Sequence, residues 1–373
     1  MKNELIALVS VLLTSCIGTT GSKNPEADNN RDTLAVLQNN KVILTVSLYG
    51  GAITGFTFKD DSLNPFTWKL RPEEMPENNR KGAPFQGHFL CIGRWGSPTD
   101  GEKAAGIPHN GEPSNIWWEK DEPLSTNVLN MSAQPKLEQL SLHRTITLSD
   151  SDACFVVDER LSNNLNTGIF TAIVQHATIG TPFLDEKTIV SSNASYGFNQ
   201  SLIKHSLTQY GYQWPDGYAD TLRTRLDLTK SDQSSGYVST HILKDDYGWI
   251  TAANTERGLL TGYLWKTSEY PWLHIWHGIK DGKLWAKGLE FGTTGLGDTF
   301  TPEKRAVVDF HGVNNNQFID AKSSIIKKYL CFLTKIPSDF IKTDSVTCSE
   351  GQVIVNYLTA KGSFKTIFNL KIW

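Results

Sequence analysis

The 373-residue sequence predicts an all-β protein, a large antiparallel β-sandwich with few helices. Three observations lead to this fold class. Short segments rich in Val, Ile, Thr and aromatic residues recur along the chain, and turn residues separate them. Apolar repeats of helical period are scarce before residue 315. The sequence contains no internal repeat, phosphate-binding loop or dinucleotide motif.

Seven segments rich in β-forming residues are predicted to be strands. They cover residues 41–48, 140–148, 154–161, 169–179, 247–251, 259–265 and 272–278. One helix is predicted over residues 317–334, where a stripe could be formed by Phe318, Ile325, Ile326, Tyr329, Leu330 and Leu333. After about residue 335 short strands return, and the pattern does not place them in the fold.

The N-terminus has the features of an export signal. Lys2 precedes an apolar run over residues 5–13, which is too short to span a bilayer. The run ends in Leu-Thr-Ser-Cys, and this tetrad matches the pattern of bacterial lipoprotein signals. Residues 1–15 are therefore predicted to be a signal peptide, with Cys16 as the lipidated residue. The alternative is a short buried helix that ends in a cysteine by chance.

A flexible tether is predicted over residues 16–34, which are rich in Gly, Thr, Ser, Asn and Asp and have little to bury. Residues 35–373 then form a single β-sandwich domain, in which the placement of residues 315–373 is left open. The expected location is the cell envelope, with the membrane reached through the lipid anchor only. Ile17 after the lipidated cysteine, rather than Asp, favours the outer membrane.

The composition excludes some partners and favours others. The net charge is −3 and no basic patch suggests nucleic acid. Eleven Trp and eleven Tyr are many for this length, and in an exported protein exposed aromatic rings often stack on sugars. Filling of the core explains a large share of them. Four cysteines besides Cys16 fit no zinc spacing; one or two disulfides are possible, with Cys331 and Cys348 as the nearest pair.

Three stretches carry residues suited to chemistry: residues 87–96 with 106–119, residues 173–184, and residues 284–294. In the second, His176 lies near the end of a predicted strand, where sites tend to lie, and shares a face with Ala172, Val174 and Thr178. A histidine in this position could also be an ordinary core residue with satisfied hydrogen bonds.

The third stretch places a carboxylate among small residues. If residues 284–292 form a strand, Glu290 shares a face with Leu284, Ala286, Gly288 and Gly292, while Trp285, Lys287, Leu289 and Phe291 point the other way. Glycine in a strand often marks the close approach of a ligand, so a substrate would have room above Glu290. The alternative is a solvent-facing glutamate without a function.

Together the three stretches resemble the aldose 1-epimerase (mutarotase) type of the galactose mutarotase-like superfamily. Residues 175–184, Gln-His-Ala-Thr-Ile-Gly-Thr-Pro-Phe-Leu, are similar to the histidine segment of that family. Residues 288–294, Gly-Leu-Glu-Phe-Gly-Thr-Thr, are similar to its glutamate segment, and residues 106–112, Gly-Ile-Pro-His-Asn-Gly-Glu, to its His-Gly-Glu segment. The resemblance covers roughly residues 35–315 with the order preserved, and it implies the sandwich of that superfamily.

The resemblance also implies a mechanism. Mutarotation opens a pyranose ring and closes it on the other face, which requires a base for the anomeric hydroxyl and an acid for the ring oxygen. By this resemblance Glu290 corresponds to the base and His176 to the acid. The resemblance implies no cofactor or metal. The two side chains are expected to face each other across one cleft, with room for a sugar ring between them. Arg94, Asn110 and Glu112 are expected to bind sugar hydroxyls or lie beside them.

The sequence departs from the family pattern at one position. Aligned on Gly106 and Gly111, the histidine before Gly-Glu falls on Asn110, and His109 lies one position earlier. On an extended chain a shift of one residue reverses the direction of the side chain. Either a local bulge restores His109 to the cleft, or Asn110 replaces it there with a group that cannot titrate.

Three further residues are candidates for the sugar cleft. His274 and Trp276 share one face of a predicted strand and could line it, although core or surface placement is equally consistent. His277 faces the other side, so the two histidines would not pair as metal ligands. The Trp-Pro segment at Trp214 resembles a loop of the family and could supply a stacking ring.

The function predicted from these residues is that of a carbohydrate-active isomerase that interconverts sugar anomers by acid–base catalysis, with a sugar or oligosaccharide as its partner. A second hypothesis has the same cleft but a different reaction, the isomerisation, elimination or hydrolysis of an oligosaccharide. A third hypothesis is a lipoprotein that binds glycans without catalysis. The titratable pair His176 and Glu290 argues against it, because binding alone does not need a titratable pair.

Overall fold

The computed structural model describes residues 33–121, 126–203, 207–297 and 310–370. The predicted signal peptide, the lipidation site Cys16 and nearly all of the predicted tether lie outside these ranges. The described residues from Thr33 onward belong to one compact unit. Within them no helix is both long and apolar enough to cross a membrane.

The larger of the two main sheets has ten antiparallel strands, numbered here along the chain. Their spatial order is β1 (Leu34–Gln38), β2 (Val42–Ser47), β3 (Ile53–Phe58), β4 (His88–Ile92), β10 (Ile173–Ile179), β20 (Lys283–Gly292), β19 (Trp272–Lys280), β16 (Tyr237–Ile242), β12 (Tyr196–Asn199) and β13 (Tyr212–Gln213). The central strands β4, β10 and β20 come from distant parts of the chain, so the sheet brings the three chemistry-bearing stretches side by side.

The second sheet has eight antiparallel strands and packs against the first. Its spatial order is β11 (Ile189–Ser192), β17 (Tyr247–Asn254), β18 (Leu259–Lys266), β22 (Ser324–Lys335), β8 (Cys154–Asn163), β7 (Leu140–Leu148), β6 (Val128–Ala133) and β5 (Glu119–Lys120). Apolar side chains from alternate positions of both sheets fill the space between them, as in β-sandwiches generally.

Smaller elements complete the fold. Two pairs of short strands are formed by β14 (Asp216–Tyr218) with β15 (Arg225–Asp227) and by β9 (Ile169–Thr171) with β21 (Gln317–Ile319). The described helices are α1 (Asp100–Ala104) and α2 (Leu207–Tyr210), and 3-10 turns occur at Pro72–Glu74, Glu77–Asn79 and Gln200–Leu202. The all-β sandwich predicted from the sequence is confirmed.

The last three strands form a sheet of their own: β23 (Phe340–Ser349), β24 (Gln352–Thr359) and β25 (Gly362–Asn369). This sheet covers the outer face of the eight-stranded sheet. Its Val353, Val355 and Phe368 pack with Leu330 and Phe332 of β22 in a second apolar cluster. The strands after residue 335, which the sequence did not place, are therefore a third layer on the sandwich.

The helix predicted over residues 317–334 is wrong. These residues form β21 and most of β22, a 12-residue strand near the middle of the eight-stranded sheet. Tyr329, Cys331 and Leu333 face the main core, whereas Leu330 and Phe332 face the third layer. Because both faces of β22 are covered, apolar residues occupy even and odd positions alike, which removes the alternation that identifies a strand.

The cysteines do not form the disulfides that the sequence left possible. Cys91, Cys154, Cys331 and Cys348 all carry free thiols. Cys331 is fully buried in the core, while Cys348 lies half-buried on β23, so the nearest pair in sequence is not a bonded pair. Burial raises the pKa of each of the four thiols.

Candidate active site

A cleft of about 590 Å³ lies on the face of the ten-stranded sheet that points away from the second sheet. On β20, Leu289 and Phe291 point into the core between the sheets, so Glu290 points to the opposite, cleft side. Aromatic rings dominate the lining, which comprises Trp68, Leu70, Glu74, Pro76, Phe85, Phe89, Trp95, Gly96, His109, Asn110, His176, Gln200, Ser201, Ile203, Val238, Trp276, Trp285, Glu290 and Gly297.

His176 and Glu290 meet at the base of this cleft. They belong to adjacent strands, β10 and β20, and the Nε2 atom of His176 lies 3.4 Å from Oε1 of Glu290. His176 is 9% exposed and Glu290 is 1% exposed. The prediction that both side chains share one cleft agrees with this geometry, but the expected gap for a sugar ring between them is not present.

Each member of the pair has a second partner that fixes its orientation. Trp95 donates its indole N–H to Oε2 of Glu290 at 2.7 Å. On the histidine, Nδ1 lies 2.9 Å from Oγ1 of Thr178, two residues along the same strand face. The ring of Phe89 stacks on His176 with centroids 4.3 Å apart. Only Oε1 of the carboxylate and Nε2 of the imidazole therefore face each other.

Burial shifts both groups toward their neutral forms. Desolvation raises the pKa of Glu290 to about 8, although the hydrogen bond from Trp95 opposes the shift. Desolvation lowers the pKa of His176 to about 3. Near neutral pH burial therefore favours the neutral carboxyl group and the neutral imidazole, so the pair has one titratable proton besides the N–H of the imidazole.

His274 supports the pair from below rather than lining the cleft. It is opposite Glu290 in the pairing of β19 with β20, and its ring stacks on Trp95 with centroids 3.8 Å apart. Its Nδ1 atom lies 3.0 Å from Oγ1 of Thr240. The predicted role in contacting substrate is not supported, because the Trp95 ring lies over this histidine, which has no exposed surface.

His109 and Asn110 both line the cleft, so neither of the two alternatives from the sequence is correct alone. The backbone at Asn110 is left-handed, with φ of 64°, a conformation that asparagine tolerates better than most residues. Oδ1 of Asn110 accepts a hydrogen bond from the Gly96 N–H at 2.7 Å, so this side chain holds the loop next to Trp95. His109 stands at the cleft edge, with Nδ1 3.2 Å from Oγ of Ser97.

Arg94 and Glu112 are predicted site residues that lie outside the lining. The Arg94 guanidinium pairs with Glu102 of α1, with Nε 2.8 Å from Oε2. Glu112 accepts the Leu137 N–H at 2.6 Å, and its own N–H donates to Glu138. Both side chains therefore brace the loop that carries Trp95 and His109, because their charged ends are engaged by neighbouring protein groups.

Trp214 also lies away from the cleft. Its ring is half-buried against the main core and meets His241 edge to face with centroids 5.5 Å apart. The stacking role predicted for Trp214 is therefore not supported. Trp276, in contrast, is half-buried in the lining as predicted, 6.0 Å from the ring of His176.

The prediction for Trp285 is wrong, and the reason is a β-bulge. In the pairing of β19 with β20, Leu284 is opposite Ile279 and Ala286 is opposite Gly278, so Trp285 is an extra residue without a partner. A bulge interrupts the alternation of faces. It brings Trp285 to the cleft side together with Glu290, whereas strict alternation puts them on opposite sides.

Several lining residues had no signal in the sequence. Trp95 lies inside one of the three chemistry-bearing stretches, but only its tertiary contact with Glu290 reveals its role. Trp68, Phe85 and Gln200 come from loops and turns whose placement depends on the whole fold. Among the described residues, no group of His, Cys, Asp and Glu could hold a metal ion.

No family model and no curated protein matches the sequence. Solved structures do match. A galactose mutarotase related enzyme from Lactobacillus acidophilus aligns over 82% of this chain and 98% of its own, with a TM-score of 0.59 and 9% identity. A galactose mutarotase-like protein from Clostridium acetobutylicum aligns over 81% and 95%, with a TM-score of 0.57 and 13% identity.

A third, the galactose mutarotase-like protein from Lactobacillus casei, aligns over 81% of this chain and all of its own, with a TM-score of 0.55 and 11% identity. At such low identity the likeness concerns the fold. This chain is therefore a β-sandwich of the galactose mutarotase-like fold, as its resemblance to that superfamily predicted.

Proposed function

We propose that this chain is a carbohydrate-active enzyme of the aldose 1-epimerase type, which interconverts the anomers of a sugar by acid–base catalysis. The observation that carries the proposal is the contact between Glu290 and His176 at the base of an aromatic cleft. A titratable pair that shares one proton is suited to a reaction in which one oxygen loses a proton while another gains one.

The chemistry needs only these two groups. One member of the pair takes the proton of the anomeric hydroxyl while the other gives a proton to the ring oxygen, and the bond between the anomeric carbon and the ring oxygen breaks. The open-chain aldehyde rotates about its first carbon–carbon bond. Closure on the other face reverses both proton transfers, so the pair returns to its starting state without a cofactor.

The family resemblance assigns the base role to Glu290 and the acid role to His176. In the empty cleft the proton lies on Glu290 because burial favours both neutral forms. Moving it across the 3.4 Å contact gives the ionised pair with the same number of protons. A bound sugar whose hydroxyls solvate the charges would favour that ionised form, and this is the form that the assigned roles require.

The assay is optical rotation after dissolving anomerically pure sugars, α-D-galactose and α-D-glucose, with and without the protein. We expect the approach to equilibrium to accelerate. Glu290→Gln keeps the shape but cannot take a proton, and should lose about 100-fold or more in rate while still binding sugar. His176→Asn should lose a similar factor. Glu186→Gln, at an exposed position, is the matched control.

Binding of glycans without turnover is the second candidate. The direct contact within the pair favours it, because no sugar ring fits between two groups 3.4 Å apart unless the sugar binds above both. The same assay separates the two functions. If the wild-type protein binds sugars but leaves the rate of mutarotation unchanged, epimerase activity on these sugars is excluded and glycan binding is favoured.

We also propose that the protein is anchored in the cell envelope through Cys16. The Leu-Thr-Ser-Cys tetrad after a short apolar run supports this location. Cys16→Ala should abolish incorporation of labelled palmitate and release the protein from membranes. Absence of label in the wild-type protein would contradict the proposal.

A further inference from the structure

The cleft extends beyond the catalytic pair in one direction, along a wall of aromatic rings. The Trp276 ring lies 6.0 Å from His176, and the Trp285 ring lies 5.9 Å beyond Trp276, measured between centroids. Trp68 contacts both indoles from the side, at 5.5 and 5.6 Å. Each step along the wall is comparable to the width of a pyranose ring, so the cleft has space beyond the ring that meets the pair.

The depth of the cleft changes along this wall. Glu290 and His176 are almost completely buried, whereas Trp276 and Trp285 are half-buried. The two indoles are therefore nearer the protein surface than the pair. In any reducing oligosaccharide the anomeric hydroxyl is on the terminal ring, so that ring would lie deepest and the rest of the chain would lead outward over the indoles.

The bulge on β20 is the feature that provides the outer part of the wall. Without the extra residue, Trp285 would point into the core side of the sheet, as regular alternation requires. Bulges near sites commonly re-aim a side chain toward a ligand. A half-buried indole face is a good platform for the C–H face of a sugar ring.

A group of charged side chains fixes this platform. The Lys280 ammonium lies 5.1 Å from the centroid of the Trp285 ring and pairs with Glu74. Glu74 is held in turn by Arg71, with Oε1 2.9 Å from the guanidinium. Glu74 itself lines the cleft, and its carboxylate can accept hydrogen bonds from sugar hydroxyls beside the indole.

The charge of the lining restricts the ligand further. Among the described residues that line the cleft, Glu74 and Glu290 are acidic and none is Lys or Arg. Lys280 and Arg71 already pair with Glu74, so a phosphate or uronate would find no cation in the lining to compensate its charge. The lining therefore suits a neutral sugar.

Resting on the proposed function, we infer that the natural ligand is the reducing end of a neutral oligosaccharide rather than a free monosaccharide. The terminal ring lies over Glu290 and His176, and the next ring stacks on Trp285. Trp285 is thus the residue that distinguishes a disaccharide from its monosaccharide, although it takes no part in the proton transfers.

Isothermal titration calorimetry tests this inference without depending on turnover. The probes are glucose and three disaccharides that carry glucose at the reducing end: maltose, cellobiose and lactose. We expect at least one disaccharide to bind about tenfold more tightly than glucose, the gain of one good aromatic contact. Trp285→Ala should abolish that preference, and Trp285→Phe, which keeps an aromatic face, should retain part of it.

Phe170→Ala, at an exposed ring outside the cleft lining, is the control variant and should keep the preference. The inference is overturned if no disaccharide binds more tightly than glucose, or if Trp285→Ala weakens glucose and disaccharide equally. Polarimetry on the same samples reports the proposed function separately. If the protein prefers the disaccharide but leaves its rate of mutarotation unchanged, the result contradicts the proposed epimerase activity. The same result supports the extended binding site at Trp285.

Discussion

The two carboxylate oxygens of Glu290 have different neighbours. Oε2 accepts the Trp95 N–H, whereas Oε1 faces His176. A hydrogen bond to the charged form of an acid favours ionisation. Trp95 therefore has a tuning role: it holds the carboxyl group in one orientation and keeps its pKa lower than burial alone would set it.

A pH profile measures this tuning. With the proton on Glu290 lost near pH 8 and His176 protonated only near pH 3, the pair holds one proton throughout the range between. We expect the mutarotation rate to be level from about pH 5 to 7 and to fall as the pH rises through 8. A rate that still rises above pH 9 would contradict the assignment of this proton.

Trp95→Phe removes the donor and keeps the aromatic ring. Without the N–H the ionised carboxylate is less stable, so the pKa of Glu290 rises and the alkaline limb of the profile should move up by about one pH unit. Trp117→Phe, at a half-buried tryptophan that stacks on Tyr49 outside the cleft lining, is the control. A limb at the same pH in Trp95→Phe would show that this hydrogen bond does not tune the acid.

The shared cleft position of His176 and Glu290 could be predicted from the sequence because it depends on local alternation and short motifs. His176 and Glu290 lie on regular strand segments, where parity gives the face correctly. Trp285 could not be found in this way, because one extra residue reverses parity and nothing in the sequence marks the bulge. Arg94 lies in the right stretch, but Glu102 occupies its guanidinium.

Among the elements, β22 is the strand that the sequence wrongly predicted to be a helix. The strands exposed on one face kept their alternation; β7, for example, spans the predicted residues Leu140–Leu148. β22 is covered on both faces, by the main core and by the sheet of β23–β25. Its apolar residues therefore resemble a helical stripe, and only the position of the third layer explains them.

Phe332→Ala tests the packing of this layer. Phe332 is fully buried, and its ring lies 5.3 Å from that of Phe368 on β25. Truncation should lower the free energy of unfolding by about 3–5 kcal/mol, measured by chemical denaturation. Ile326→Ala on the same strand is the matched control, because Ile326 is 52% exposed and should cost less than about 1 kcal/mol. Equal losses in the two variants would contradict the packing described for β22.

At the level of the whole molecule, buried histidines link folding to pH. Desolvation lowers the pKa of five imidazoles to about 3 or 4, namely His88, His176, His241, His274 and His277. In the unfolded chain each would take up a proton near pH 6.5. Between these values the five imidazoles bind more protons in the unfolded state, whereas Glu138 and Glu290, with pKa values raised to about 8 by burial, bind more in the folded state. The five imidazoles outweigh the two carboxyl groups, so stability falls as the pH falls.

We therefore expect the melting temperature to drop markedly between pH 7 and pH 5, well before the carboxylates of the unfolded chain are protonated. Thermal denaturation followed by circular dichroism in buffers of constant ionic strength measures the effect. His143→Gln, at an exposed histidine, should leave the slope unchanged. A melting temperature that is flat over this range would show that the imidazoles are protonated in the folded state.

The four free thiols have a consequence for how the chain matures. Thiolates, not thiols, exchange with disulfides, and burial keeps Cys91, Cys154 and Cys331 protonated and out of reach of oxidants. The sandwich is complete without a covalent cross-link. Folding of this domain therefore consumes no oxidising equivalents.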